Sequence, residues 1–172
     1  MKALPIVIFA GAFLMVWLNI EKLPSVSAFK NAHKFDPLFE KYGKIYGFSP
    51  TILKAIATQE SSLNPAARAS TTTAFGLMQV TQAAAKDVGE NWNMQGDPET
   101  SIRTGAKYLR YLIDNFNLSL TDAIRAYYAG MGTVIKANKD KKSLVGAEVE
   151  RYAYSGVYLH KIMGYANAYM TA

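Results

Sequence analysis

Apolar positions along this chain recur with helical spacing. Between residues 51 and 79, Ile52, Leu53, Ile56 and Ala57 fall on one stripe, which predicts a helix with one buried face. Ile102, Ala106, Leu109, Leu112 and Ile113 share the inner face of a second, longer helix. Near the end of the chain Tyr154, Tyr158, Ile162, Tyr165 and Tyr169 follow one another at three- and four-residue steps, a stripe that belongs more often to core packing than to a ligand surface. No stretch alternates convincingly as a strand would, and no internal repeat is visible.

Capping residues and prolines give the boundaries. Asp36-Pro37, Ser49-Pro50 and Asp97-Pro98 each place a capping side chain before a proline at the first helical position. They predict helices over 36–46, ended by Gly47, from 49 through Glu60, and over 97–115. Thr81 opens a short Ala-rich helix to Val88, followed by Gly89. Ser119-Leu120-Thr121-Asp122 is close to a capping box and opens a helix through Tyr128. A last helix covers 150–169. The expected fold class is all-α.

The apolar run over residues 4–20 is broken only by Pro5, Gly11 and Asn19 and lies at the short end of what spans a bilayer. A retained signal anchor and a cleaved signal peptide compete, the latter with small residues at Val26-Ser27-Ala28. Glu21 and Lys22 sit awkwardly for cleavage, so the anchor is favoured. Residues 1–28 are therefore read as a membrane segment with its linker and residues 29–172 as one domain, entered through 29–31. Either way the domain is delivered across a membrane.

The chain has 172 residues, half of them hydrophobic, no cysteine, and a net charge of +6. That suffices for one cored domain and excludes disulfides and thiolate metal sites. Its two histidines, His33 and His160, lie far apart, which argues against a metal centre; no cofactor is expected. The positive charge suggests an anionic partner, but its residues are scattered. The one dense run, Lys139-Asp140-Lys141-Lys142, reads as an exposed loop. No motif or aromatic–basic stripe supports nucleic-acid binding.

Glu60 continues the stripe of Leu53 and Ile56, and Asn64-Pro65 closes the helix just beyond it. A glutamate at a helix end is usually solvated. Here the stripe turns it toward the core, at the negative end of the helix dipole, and both features favour the protonated form. Such an acid can donate a proton near neutral pH.

Four pieces then follow in order: Glu60-Ser61 with Asn64-Pro65, Gly76-Leu77-Met78-Gln79, Ala126-Tyr127-Tyr128-Ala129-Gly130, and Tyr158. In this arrangement the chain resembles the lytic transglycosylases of the soluble-lytic-transglycosylase type, over roughly residues 35–162, with Asp97-Pro98 through Leu109 similar to that family's connecting helix. The resemblance implies a lysozyme-like fold and peptidoglycan as substrate. It implies Glu60 as the catalytic acid, with Ser61 beside it near the scissile sugar. Gly76, Met78 and Gln79 would line the saccharide groove. Tyr127 would hydrogen-bond toward Glu60 or the substrate, and Tyr158 would complete the site. Tyr128 stands among the substrate-binding positions where the family pattern usually has Asn, and Thr73 where a glycine is common.

Glycosidases that use water rely on two carboxylates, and the motifs here supply one. Asp87, Glu90, Asp97 and Glu99 lie in no motif. A lone acid suits an intramolecular reaction that leaves a 1,6-anhydro sugar. A hydrolytic muramidase on the same fold and a non-catalytic peptidoglycan-binding scaffold are the alternatives. A short anchor ahead of a small domain suggests, by analogy, local opening of the wall for a secretion system, a pilus or a phage.

Overall fold

The computed structural model describes residues 31–171. The predicted anchor at 4–20, the Val26-Ser27-Ala28 cleavage site, and Phe29 and Lys30 of the predicted linker lie outside the described residues. Asn31 is pinned, its side-chain amide donating to the Leu63 carbonyl at 2.9 Å. The described chain is helical: α1 (Asp36–Tyr46), α2 (Pro50–Ser61), α3 (Gln82–Asp87), α4 (Pro98–Phe116), α5 (Leu120–Ala129), α6 (Met131–Lys139) and α7 (Ala147–Met170). Short 3-10 turns occur at Trp92–Met94 and Lys141–Ser143. Among the described residues there is no strand, only isolated antiparallel bridges joining Arg68 to Phe75 and Phe75 to Val80. No helix among them is long and apolar enough to cross a membrane.

The domain is built around α2. The sequence stripe predicts one buried face, yet all of residues 52–58 are buried, Lys54 and Thr58 included. A helix covered on every side belongs to the middle of a core. The covering comes from α1, α4 and α7, and α7 also lies along α5. Leu53 and Ile56 are wholly excluded from water, each contributing about 2 kcal/mol by burial. Lys54 is tolerated there because its ammonium lies 2.5 Å from an Asp36 carboxylate oxygen and 4.3 Å from the centre of the Tyr169 ring. Thr58 contacts the Tyr169 hydroxyl at 2.6 Å. These polar contacts fasten the far end of α7 to the central helix.

The caps divide. Asp97 caps α4, accepting from the Thr100 amide at 2.8 Å, and Thr81 and Ser119 cap α3 and α5 in the same way. Asp36 does not cap α1. It occupies the first helical position, and its carboxylate is drawn to Lys54 and His33. Ser49 stands at the N-cap of α2, but its hydroxyl contacts Thr51 instead of a backbone amide.

Helix α6 is absent from the sequence reading, which ends α5 at the Tyr-Tyr-Ala-Gly stretch. Gly130, at φ +86°, turns the chain, and its amide closes α5 on the Ala126 carbonyl at 2.8 Å. The chain then re-enters a helix whose buried face is only Thr133, Val134 and Ala137. The run at residues 139–142 is exposed, as expected, and forms a 3-10 turn capped by Asp140.

Candidate active site

Helix α2 places Glu60 in its last turn, beside a tightly held break in the backbone. Ser62 (φ +52°) and Leu63 (φ +60°) both turn left-handed. The Ser62 amide donates to the Thr58 carbonyl at 2.9 Å and the Leu63 amide to Ala57 at 3.4 Å, closing the helix before Pro65 is reached. The left-handed cap therefore ends α2, in place of the proline. Leu63 then buries its side chain completely. Gln79, at φ +46°, is left-handed as well. Non-glycine residues in this region cost about 1–3 kcal/mol each and gather where surrounding structure imposes them. Of the four among the described residues, Ser62 and Leu63 follow the acid directly, Gln79 lies in the loop that Ser61 ties to α2, and the fourth is Asn117.

Glu60 itself is partly buried. Its Oε1 accepts a hydrogen bond of 2.5 Å from the Tyr158 hydroxyl on α7. Desolvation raises its pKa from 4.5 to about 7, and the Tyr158 hydrogen bond pulls in the opposite direction. Among the described residues no cation offsets the burial and no second carboxylate adds to it. Near neutrality the side chain is thus shared between acid and carboxylate. The phenols of Tyr158 and Tyr127 are both pushed well above the ordinary range, chiefly by burial and then by the Glu60 charge. Both remain hydrogen-bond donors at any pH at which the chain would work.

The remaining expected site residues divide into scaffold and surface. Ser61 does not offer its hydroxyl to the site. The hydroxyl lies 2.8 Å from the Leu77 carbonyl and 3.0 Å from that of Ala57, and it accepts from the Asn64 amide. It ties the end of α2 to the 76–79 loop. Gly76 offers no lining surface either. It is buried at φ +81°, and a Cβ there would stand 1.9 Å from the Gln95 carbonyl oxygen. Met78 is entirely buried against Gly105. Its amide donates to the Ser101 hydroxyl at 3.1 Å. The Tyr127 hydroxyl donates to the Met78 carbonyl at 2.8 Å and not to Glu60. These four residues hold the loop against α2, α4 and α5. Gln79 is intermediate: its side-chain NH2 donates to the carbonyls of Ala67 and Gly76.

Tyr158 and Tyr128 are the residues assembled at the acid. Their rings stack at 5.2 Å and 27°, with Tyr158 buried and Tyr128 42% exposed. Sequence reasoning missed Ser101 and the Tyr108 ring that supports Tyr127 at 5.7 Å. The small pair Ser101 and Gly105, one turn apart on α4, was the available signal for a loop pressing on that helix.

The other acids weighed from the sequence are occupied elsewhere. Glu90 is held by Arg103 and Lys107, Asp97 by its cap, and Glu99 by Lys41 and Tyr42. Asp87 is exposed at the end of α3. No three His, Asp or Glu residues among those described are grouped to hold a metal ion. An open depression of about 810 Å³, bordered by Thr73, Lys86 and Trp92, does not include Glu60.

Known proteins resemble this chain in sequence and fold. Membrane-bound lytic murein transglycosylase C of Serratia proteamaculans is 36% identical over 154 residues, covering 80% of this chain and 42% of that protein. The Photorhabdus laumondii protein of the same name is 33% identical over 145 residues, covering 75% and 40%. The chain thus spans about two fifths of the length of these relatives. Among solved structures, the 70 kDa soluble lytic transglycosylase SLT70 of Escherichia coli superposes with a TM-score of 0.67 at 27% identity, over 82% of this chain and 24% of that one. A complex of the 70-kDa soluble lytic transglycosylase with bulgecin A gives 0.68 at 26% identity, over 83% and 25%. The family model described as the transglycosylase SLT domain matches residues 37–149, and the chain belongs to that family.

Proposed function

We propose that this chain is a peptidoglycan lytic transglycosylase, cleaving the β-1,4 bond between N-acetylmuramic acid and N-acetylglucosamine with Glu60 as its only acid and base. One observation carries this reading: a carboxyl group at the end of α2, drawn out of water so that its pKa rises to about 7, whose hydrogen-bond partner among the described residues is the Tyr158 phenol. Protonated Glu60 gives its proton to the glycosidic oxygen, the bond from that oxygen to the anomeric carbon breaks, and positive charge develops on that carbon. The resulting carboxylate is steadied by the Tyr158 hydroxyl. It then takes the proton from the C6 hydroxyl of the same sugar as O6 closes on the anomeric carbon. The product is a 1,6-anhydro end, Glu60 is again protonated, and no water is consumed. An internal nucleophile has an effective concentration worth roughly 7–11 kcal/mol, so a second carboxylate is unnecessary. The dispersal of Glu90, Asp97 and Glu99 to other partners favours this route over a two-carboxylate hydrolysis. The names of the SLT-domain relatives support the substrate.

Residues 4–20 would anchor the enzyme with its domain on the cell-wall side, in keeping with relatives described as membrane-bound. Local opening of the wall for a secretion, pilus or phage apparatus is the deployment this arrangement suits. Digestion of purified peptidoglycan by wild type and Glu60→Gln, with products weighed by mass spectrometry, tests the reaction. Anhydro ends from the wild type alone are expected. Reducing ends one water heavier would make it a hydrolase, and no released muropeptides from the wild type would make it a scaffold.

A further inference from the structure

Tyr158 is not the end of the aromatic contact. Tyr128 stacks on Tyr158 at 5.2 Å and also on Tyr154, at 5.3 Å and 37°. Tyr154 and Tyr158 lie one turn apart on α7 and so share a face, and α5 lays Tyr128 across both. Exposure rises outward along this line. Tyr158 is 3% exposed, Tyr128 42% and Tyr154 46%. Two large rings left open to water beside a partly buried acid are an unusual use of surface. Their mutual stacking fixes them before any ligand arrives, and so lowers the ordering cost of binding. Tyr158, which donates to Glu60, stacks on Tyr128, so the platform is continuous with the reacting centre. Neither exposed ring makes a side-chain hydrogen bond to another described residue.

We propose that Tyr128 and Tyr154 form a sugar-stacking subsite running outward from Glu60, which takes the C–H face of a β-linked pyranose in the glycan strand. The inference rests on the proposed glycan-cleaving reading and deepens it. A β-1,4-linked amino sugar carries its polar substituents around the ring edge and leaves a flat apolar face. Tyrosine presents a ring face to that surface and keeps its hydroxyl in water. Recognition here is by ring shape.

Binding, separated from turnover, tests it. The full chain carrying Glu60→Gln is titrated calorimetrically with N-acetylchitohexaose, alone and with Tyr154→Ala or Tyr154→Phe added. Among the described residues Tyr154 stacks on Tyr128 and makes no ring contact with Tyr158, and it is exposed, so its truncation spares the fold. Tyr154→Ala should weaken binding roughly tenfold, the upper end for one aromatic contact, while Tyr154→Phe should stay within about twofold. Unchanged affinity in Tyr154→Ala overturns the subsite and leaves the proposed reaction standing. No binding by the Glu60→Gln chain itself overturns both. In the wild-type background Tyr154→Ala should raise KM and leave the alkaline limb of the pH profile in place. A moved limb would mean that Tyr154 acts through the acid, against the proposal.

Discussion

Replacing Glu60 by glutamine should stabilise the protein at alkaline pH while abolishing its proposed chemistry. The carboxyl pKa rises from 4.5 to about 7 on folding, chiefly through desolvation. An acid with a raised folded-state pKa binds its proton more tightly in the folded chain, so between these values the folded state holds more protons than the unfolded one. Stability then falls as pH rises through the window. At about 1.4 kcal/mol per pKa unit, the burden on the wild type is about 3 kcal/mol once Glu60 is fully ionised. Glutamine keeps the shape and carries no charge. Urea unfolding of both proteins at about pH 4.5 and about pH 8, with equal m-values, measures the difference. Any fixed cost of the amide is the same at both pH values and drops out of the comparison. The carboxylates with lowered pKa values, Glu90, Glu99 and Glu148, titrate alike in both proteins and cancel as well. The variant should gain about 3 kcal/mol relative to wild type between the two conditions. A gap that does not change with pH would refute the buried-acid argument.

Other outcomes follow from the same geometry. Tyr158→Phe removes the hydrogen bond that favours the carboxylate, so the alkaline limb of kcat/KM should move to higher pH; a limb that moves down would contradict the assignment. Ser61→Ala removes the tie to the Leu77 carbonyl and should cost about 1–2 kcal/mol in thermal unfolding. A raised KM with unchanged stability would instead return Ser61 to the substrate. Gly76→Ala drives a Cβ onto the Gln95 carbonyl at a left-handed position and should cost at least about 3 kcal/mol, read as a lost folding transition. Near wild-type stability would show that the loop does not press on Gln95 and Ser101 as described.

The sequence makes Glu60 legible because a helical stripe carries it inward and the chain breaks just beyond. Fold class followed from the same periodicity. Tyr158 as its partner was not legible in spacing alone, since the two are 98 positions apart and only the packing of α7 on α2 joins them. Ser61, Gly76 and Met78 read as site residues because motifs mark positions without saying which way a side chain points. Here the Ser61 hydroxyl and the Met78 side chain turn inward, Gly76 is buried backbone, and together they set the loop that borders the acid. Asp36 shows a tertiary override: a buried Lys54 ammonium draws its carboxylate away from the helix end. Helix α6 was hidden because Gly130 reads as the close of the preceding helix, and too few apolar residues follow to show a period.

The proposed chemistry requires a proton held at Glu60 near neutral pH. Carbon-13 NMR of the full chain, labelled at glutamate side-chain carboxyls and assigned by difference from Glu60→Gln, follows that one group through its titration. A midpoint near 7 is the predicted result. A midpoint near 4.5, the ordinary value for the side chain, would contradict it.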